Sequence, residues 1–586
     1  MSIFNFTEEQ SLGEVRSVET SRITVRVTDG QRLQKARVGR LVAIQSMGDE
    51  WLIGIIERVW RHPVELPTFS EGEEVPDLTG VSQEENGISI SLVGTYRVRD
   101  GQRKDTFTRA VFILPEINRP VFPIEEKSLE DFMGILSTSS KTDAVAPLKV
   151  GTYTLDGKAS AYIDGDKLFQ RHAALLGSTG SGKSFTVASI LEQSALLPHA
   201  NIVVLDLHGE YSSMKFASHY RIAGIGDIKT KSDGAIFLPF WLLTYDEMQS
   251  LFVDRSEESA PNQASELMRQ VVELKKAAIE QMRKNELLDG FTVDTPVPYK
   301  LDLLINAIAE KDSEMVQGSR GEKQGPLFGK LTRFLNRIKV KKDDRRYAFM
   351  YQAPEEYEDY EALHVLANKL LGTGNVKDDV NPGIKIIDFS EVPSDILPVA
   401  VGLVGRLIYQ IQFWSSPGED GDARHPIVIV CDEAHLYLPS SAASTGPLEK
   451  RALENFERIA KEGRKYGVGL MVVSQRPSDV STTILSQCSN IISLRLANKT
   501  DQSVVKQLLP ESLEGLMEVL PTLDVGEAVV VGDATLLPTR IKMSKPKYEP
   551  RSATIPFWAR WAKPKAEVDL AAAVENMRRQ SRDLAK

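Results

Sequence analysis

Residues 172–193 read HAALLGSTGSGKSFTVASILEQ and contain the pattern G-x-x-x-x-G-K-S, with Gly177, Gly182, Lys183 and Ser184 at its fixed positions. With 40 glycines in the chain, chance supplies roughly 0.02 such matches at ordinary Lys, Ser and Thr frequencies. We therefore read the pattern as a phosphate-binding loop. An apolar run precedes it and a helical run follows, as the chemistry requires. Such a loop cannot stand alone. Its glycines let backbone N–H groups turn inward around phosphates, and the helix N-terminus adds partial positive charge. The chain is thereby committed to a strand, a tight loop and a helix packed on a buried sheet. Gly177, Ser178, Thr179, Gly180, Ser181, Gly182, Lys183, Ser184 and Phe185 are the expected nucleotide contacts. Lys183 is expected to reach the β and γ phosphates and Ser184 to ligate the metal. The cofactors implied are ATP and Mg2+.

A metal-bound triphosphate also needs acids, and a strand that ends in Asp fixes a carboxylate at a sheet edge. The run PIVIVC at 426–431 leads directly into Asp432 and Glu433. Neighbouring residues on a strand point opposite ways, so the two acids divide the labour. Asp432 is expected to orient Mg2+ through water, and Glu433 to polarise the attacking water. The run 468–473, VGLMVV, ends in Ser474, Gln475 and Arg476, and Gln475 is placed to sense the γ-phosphate. The run 201–206, NIVVLD, ends in Asp206, followed by LHGEY at 207–211. Asp206, His208 or Glu210 could sit beside the metal or water; a turn around Gly209 is the competing reading.

Apolar runs at 172–177, 201–206, 384–389, 426–431, 468–473 and 490–495 alternate with helical segments. That texture predicts a parallel sheet covered on both faces. Residues 1 to about 150 are short, β-branched segments, including 22–27, 41–46, 51–59 and 87–98, which suggests a small barrel or sandwich. The stretch 115–126 reads as a passage toward the next unit. At 586 residues the chain exceeds one core. We expect units at 1–150, 151–245, 371–545 and 546–586, with a helical insertion at 246–370. The insertion carries Lys275, Lys276, Arg283, Lys284, Arg333, Arg337, Lys339, Lys341 and Lys342, with acids interleaved. These suit DNA phosphates, but a solvated helix face explains them better. In the tail, Phe557, Trp558 and Trp561 can anchor on a neighbour or pack on their own domain.

The letters D-E-A-H at 432–435 also name a class of tandem-lobed helicases. Asp432 lies 249 positions beyond Lys183 (432 − 183), and 153 residues follow Glu433 (586 − 433). That remainder is too short to finish one lobe and add a second. A single lobe cannot close on its own nucleotide, so a neighbouring subunit has to supply the missing electrophile, most economically in a ring.

Two cysteines, Cys431 and Cys488, exclude a disulfide framework and a cysteine-rich zinc site. No stretch reads as a signal peptide or membrane span; 396–414 is interrupted by Arg406 and reads as a buried helix. A cytoplasmic setting without membrane contact is expected. The net charge of −10 argues against a basic coat but not against a basic channel.

Taken together, RHAALLGSTGSGKS, VVLDLHGEY, LPFWLL (238–243), IIDFS (386–390), CDEAHLYLP, IAKEGRKYGVGLMVVSQRPSD (459–479) and GEAVVVGDATLLP (526–538) resemble the HerA family, within the HerA–FtsK group of DNA translocases. The likeness is dispersed from about 10 to 545. It implies a RecA-like α/β P-loop ATPase core with an amino-terminal barrel related to that of ATP synthase subunits. It further implies a homohexameric ring that moves double-stranded DNA. In that family a neighbour's arginine contacts the γ-phosphate; Arg458 and Arg464 match the block, and Arg464 is preferred because it directly precedes the sensor strand. Arg171, just ahead of the P-loop strand, matches a cis contact. The resemblance also implies an effector: a NurA-like nuclease, another nuclease or a Sir2-like NADase, in DNA end processing or anti-phage defence. An ATP-binding scaffold that activates the effector with little translocation is the alternative; a conjugation-type or secretion-type motor is a third.

Overall fold

The computed structural model describes residues 3–46, 50–63, 84–98, 106–137, 147–224, 227, 234–319, 321–377, 380–416, 424–440, 446–508, 518–552, 555–563 and 569–579. The chain divides into two compact units, Met1–Gln193 with Ser489–Lys547, and Ser194–Cys488 with Tyr548–Lys586.

In the first unit the chain begins with a closed barrel. Around it run Arg22–Val27, Gly13–Val18, Pro120–Pro123, Leu41–Gln45, Glu50–Pro63 and Glu84–Arg97, and the last pairs back onto Arg22–Val27. Closure removes the free edges that so short a sheet would otherwise expose. The alternation in RITVRV explains the inside: Ile23, Val25 and Val27 are buried, and they meet Val15, Val42, Ile44, Leu52, Ile56, Ile88 and Ile90 in one core. The stretch expected to lead onward, 115–126, instead contributes the strand Pro120–Pro123, which pairs with both Gly13–Val18 and Leu41–Gln45. Its prolines sit at the strand's two ends, where a missing N–H costs least.

The same unit holds the strand Ala173–Leu176, paired in parallel with Asn490–Ser493. Beyond it the pairing turns antiparallel, through Glu527–Gly532, Thr539–Met543, Leu148–Tyr153 and Asp156–Ile163. The six apolar runs pair in parallel with one another within their unit, as expected; the antiparallel strands come from residues 148–163 and 527–543, each of which folds back as a hairpin. Leu148–Tyr153 crosses residue 150 and belongs to this sheet.

In the second unit the strand order is Ala235–Ile236, Ala217–Ile222, Asn381–Asp388, Ile202–Asp206, Ile427–Cys431 and Val468–Ser474, all parallel. Ile202–Asp206, Ile427–Cys431 and Val468–Ser474 are buried at every residue, as strands covered on both faces must be. Their shared direction brings Asp206 level with Asp388, and Cys431 level with Leu205 and Val472. The carboxyl ends of four strands therefore lie along one edge.

The helix Leu397–Trp414, with Pro398 in its first turn, is buried from Leu397 through Tyr409. Arg406 is satisfied inside the protein by Glu247 at 2.9 Å and the Leu242 carbonyl at 2.7 Å. No helix among the described residues is long and apolar enough to cross a membrane. The insertion is mainly helical, through Tyr245–Phe252, Ala260–Gln281, Leu301–Asp312 and Thr332–Asp343, but it also carries an exposed hairpin, Met315–Gly318 with Gly321–Gln324. Several of its basic side chains are engaged within the chain. Lys275 is fully buried and donates to the carbonyls of Val293 and Thr295, while Arg337 binds Glu257, Gln263 and the Phe252 carbonyl. In the tail, Phe557, Trp558 and Trp561 are all exposed on the short helix Phe557–Trp561.

Candidate active site

The phosphate loop leaves the strand Ala173–Leu176 and enters the helix Lys183–Ser194. Gly180 and Gly182 adopt φ of +72° and +105°, the left-handed region where other residues are strained. A side chain at Gly182 would also come within 3.3 Å of the backbone of Gly526. The loop is closed by its own bonds: Ser181 N–H donates to the Ser178 carbonyl at 3.1 Å, and Thr186 N–H to the Gly182 carbonyl at 2.9 Å. Ser178 N–H donates to the Arg495 carbonyl, and the Ser178 hydroxyl accepts from Ala497 N–H. Lys183 is buried, with its Nζ 3.4 Å from the Ser178 carbonyl. Thr179 and Gly180 are exposed, and Ser184 and Phe185 are half-buried. The Ser181 hydroxyl is buried without a hydrogen-bond partner.

Gly526 was not expected at this loop, although it opens the 526–538 stretch. Its N–H donates to the Ser181 carbonyl at 2.9 Å, and its φ is +76°. It braces the loop from outside. Its spacing to the P-loop in the sequence gives no cue, because the contact forms only once the antiparallel hairpin is in place.

Arg171 is not brought to the phosphate loop. It lies at the opposite end of the strand Ala173–Leu176, and its guanidinium pairs with Asp533. The four-residue strand lies between Arg171 and Gly177, roughly 13 Å at about 3.3 Å per residue. The partner the structure gives Arg171 is Asp533.

The acids occupy the strand-end edge of the second unit. Asp432 is 3 % exposed. Its Oδ1 accepts from Glu433 N–H at 3.0 Å, and its carbonyl accepts from the Tyr437 hydroxyl at 3.1 Å. Its Oδ2 is buried with no hydrogen-bond partner. Tyr211 faces it, yet neither oxygen reaches hydrogen-bond geometry. Burial pushes the Asp432 carboxyl well above the usual carboxylate range, and the charges of Glu433, Asp206 and Glu210 push the same way. Glu433 adopts φ +44° and ψ 44°, a left-handed backbone on a residue with a side chain. Such conformations cost about 1–3 kcal/mol and persist where surrounding structure imposes them. Its Oε2 is buried, without a hydrogen bond, and lies 3.3 Å from His435 Nδ1.

Asp206 is spoken for. Its Oδ1 accepts from the N–H groups of His208 and Glu210, and its Oδ2 from Tyr211 N–H, at 3.3, 3.1 and 3.0 Å. Burial raises its carboxyl to about 6 against the pull of those three donors. With Gly209 at φ +70°, Asp206 builds the turn at 207–211 and through it sets Tyr211 beside Asp432. Asp388 joins the same edge and caps its own turn through Ser390 N–H at 2.7 Å. It stood in the IIDFS stretch without a role assigned.

Gln475 follows the strand Val468–Ser474 directly, at the acid edge. Arg464 lies before that strand, on the turn Gly463–Tyr466, and is exposed with no acid paired to it among the described residues. Arg458 is held by Glu462 at 3.4 Å and stacks over the Tyr409 ring.

Profiles of two families match the chain: "Helicase HerA, central domain" over residues 148–408 and "Helicase HerA-like C-terminal" over residues 410–553. Together they cover more than two thirds of it. The chain belongs to the HerA family. A probable helicase of Methanocaldococcus jannaschii is 26% identical over 516 residues, which is 87% of this chain and 86% of that one. The DNA double-strand break repair helicase HerA of Sulfurisphaera tokodaii is 27% identical over 413 residues, 69% of this chain and 71% of that one. The solved VirB4 of Thermoanaerobacter pseudethanolicus superposes with a TM-score of 0.45 at 17% identity, over 70% of this chain and 99% of that one. As a HerA-type P-loop ATPase, the chain has groups that suit a magnesium–nucleotide complex. In the first unit the phosphate loop offers a buried lysine, which suits phosphate; in the second, the acid edge offers a buried Asp432 carboxylate oxygen without a hydrogen-bond partner, which suits a divalent cation. Crowded carboxylates of this kind are relieved by a divalent cation.

Proposed function

We propose that this HerA-family ATPase is a homohexameric motor that hydrolyses ATP to move along duplex DNA in the cytoplasm, in partnership with a nuclease acting on DNA ends. The carrying observation is the chemistry of its two motifs: a P-loop with Lys183 buried in it, and an acid pair whose Asp432 Oδ2 and Glu433 Oε2 are buried without hydrogen bonds. We assign both to one bound triphosphate. The relative named as a DNA double-strand break repair helicase supports DNA ends as the setting.

In this reading, the loop amides and Lys183 bind the phosphates and offset their charge. Mg2+, when bound, would supply Lewis-acid charge at the phosphate oxygens, and Ser184 and Asp432 would hold it. Glu433 orients the attacking water and accepts its proton. Gln475, at the end of the adjoining strand, reports the γ-phosphate to the loop beyond. Arg464 cannot serve its own chain's acids: the strand Val468–Ser474 lies between them, roughly 20 Å at about 3.3 Å per residue. Among the described residues it has no acid partner, which suits a neighbour's nucleotide and favours Arg464 over Arg458, whose guanidinium is already engaged.

The test is ATP turnover by the full chain with and without linear duplex DNA. Turnover rising at least about tenfold with DNA alone, and falling steeply with added salt, is the expected result. Turnover indifferent to DNA, and raised only by a partner protein, would replace the motor by a scaffold that activates its effector.

A further inference from the structure

His435, the last letter of D-E-A-H, has no part in the assignments above. It sits on the single turn Ala434–Leu436, directly beyond the left-handed Glu433. Its side chain is 9 % exposed and that of Glu433 13 %. One ring nitrogen, Nδ1, lies 3.3 Å from Glu433 Oε2 and 3.4 Å from the Ser474 hydroxyl. Ser474 is fully buried, and its oxygen accepts from Arg476 N–H at 3.0 Å. The nitrogen therefore stands between the acid that handles water and the residue that pins the turn after the sensor strand.

One N–H cannot donate to both oxygens at once. As a donor, Nδ1 serves either the carboxylate or the hydroxyl; as an acceptor, it takes the Ser474 proton and leaves Glu433 without it. Glu433 Oε2 has no hydrogen bond in this arrangement, so a small rotation of the ring decides which partner it holds. The backbone of Glu433 is already fixed in a costly conformation, which leaves the side chain as the adjustable part.

We propose that His435 is a positioning residue: through a nitrogen shared by Glu433 and Ser474, it sets the orientation of the Glu433 carboxylate according to the position of the turn at Ser474–Arg476. This rests on the reading of Glu433 as the water-handling acid. Movement of the sensor turn withdraws or supplies the Ser474 partner, the imidazole follows, and Glu433 is aimed or released. Nucleotide binding is unaffected, since neither His435 nor Ser474 belongs to the phosphate loop.

The experiment is steady-state ATPase kinetics on the full chain for His435→Ala, His435→Asn, Ser474→Ala and the double variant His435→Ala/Ser474→Ala, with Glu433→Gln as reference. His435→Ala is expected to lower kcat about tenfold or more, on the scale of general-base positioning, with KM for ATP within about twofold. His435→Asn, whose amide nitrogen takes the place of Nδ1, is expected to recover part of that loss. The double variant is expected to be no slower than His435→Ala alone, because the two act through one contact. An unchanged kcat in His435→Ala, or losses that simply multiply in the double variant, overturns the proposal. If His435→Ala fails to fold, the cycle of His435→Asn with Ser474→Ala decides by the same additivity. A Glu433→Gln variant that turns over at the parent rate would sink the assignment of Glu433 itself; a dead Glu433→Gln beside a fully active His435→Ala sinks only the role of His435.

Discussion

Lys385 shows how much a single residue can commit the fold. It lies in the strand Asn381–Asp388, 1 % exposed, with its Nζ 2.9 Å from Asn201 Oδ1 and 3.3 Å from the Gly383 carbonyl. Among the described residues no carboxylate offsets its charge, and burial lowers its ammonium from the usual range to about 7. The sign follows from linkage. From about pH 7 up to the unfolded lysine's value near 10.4, the unfolded chain binds a proton that the folded chain has released, so stability rises with pH. Below about 7 both states are protonated and the full penalty stands. The melting temperature of the parent is therefore expected to climb between pH 7 and 9. Lys385→Met is expected to flatten that climb and to melt higher than the parent at pH 7. A climb of equal slope in the variant would mean that Lys385 is not the group responsible. The same residue-level logic explains Asp206. Its carboxylate is consumed by three backbone donors, so its reach toward a metal is given up to the turn that carries Tyr211.

Elements are held by equally specific contacts. The helix Leu397–Trp414 packs closely against Pro447–Glu462, and the approach depends on Gly402. A Cβ there would fall 2.8 Å from Ala452 Cβ and 3.0 Å from Ala452 Cα. Gly402→Ala gains about 1 kcal/mol of helix propensity but forces two backbones apart, at a cost of about 1–3 kcal/mol. A lower melting temperature is expected; a higher one would show that the helices can separate freely. This contact also marks the limit of what the sequence discloses. Apolar runs such as IVIVC and VGLMVV announced their strands because burial on both faces leaves no polar position to confuse the pattern. The barrel segments were legible through alternation. Pro120–Pro123 was not, since its prolines mimic a linker, and neither was the hairpin of residues 527–543, whose apolar run does not reveal its direction. At the site, Lys183, Asp432 and Glu433 stood out because phosphate chemistry dictates spacing and strand context. Gly526, His435, Tyr211 and Asp388 did not, because their roles arise from contacts between segments far apart in the chain. Nor was the pairing of Arg171 with Asp533 legible, since those residues lie far apart in the chain.

At the scale of the whole molecule, the proposed ring would complete each site with Arg464 of a neighbouring subunit, an arginine with no acid paired to it among the described residues. That picture stands on the assignment of the phosphate loop and the acid pair to one triphosphate. Nucleotide binding and turnover measured side by side test it most directly, using Lys183→Ala and Glu433→Gln in the full chain with ATP and Mg2+. The account predicts that Lys183→Ala loses ATP binding, whereas Glu433→Gln binds ATP as the parent does and loses turnover by about 100-fold or more. Glu433→Gln hydrolysing ATP at the parent rate, or Lys183→Ala binding it undiminished, would contradict it.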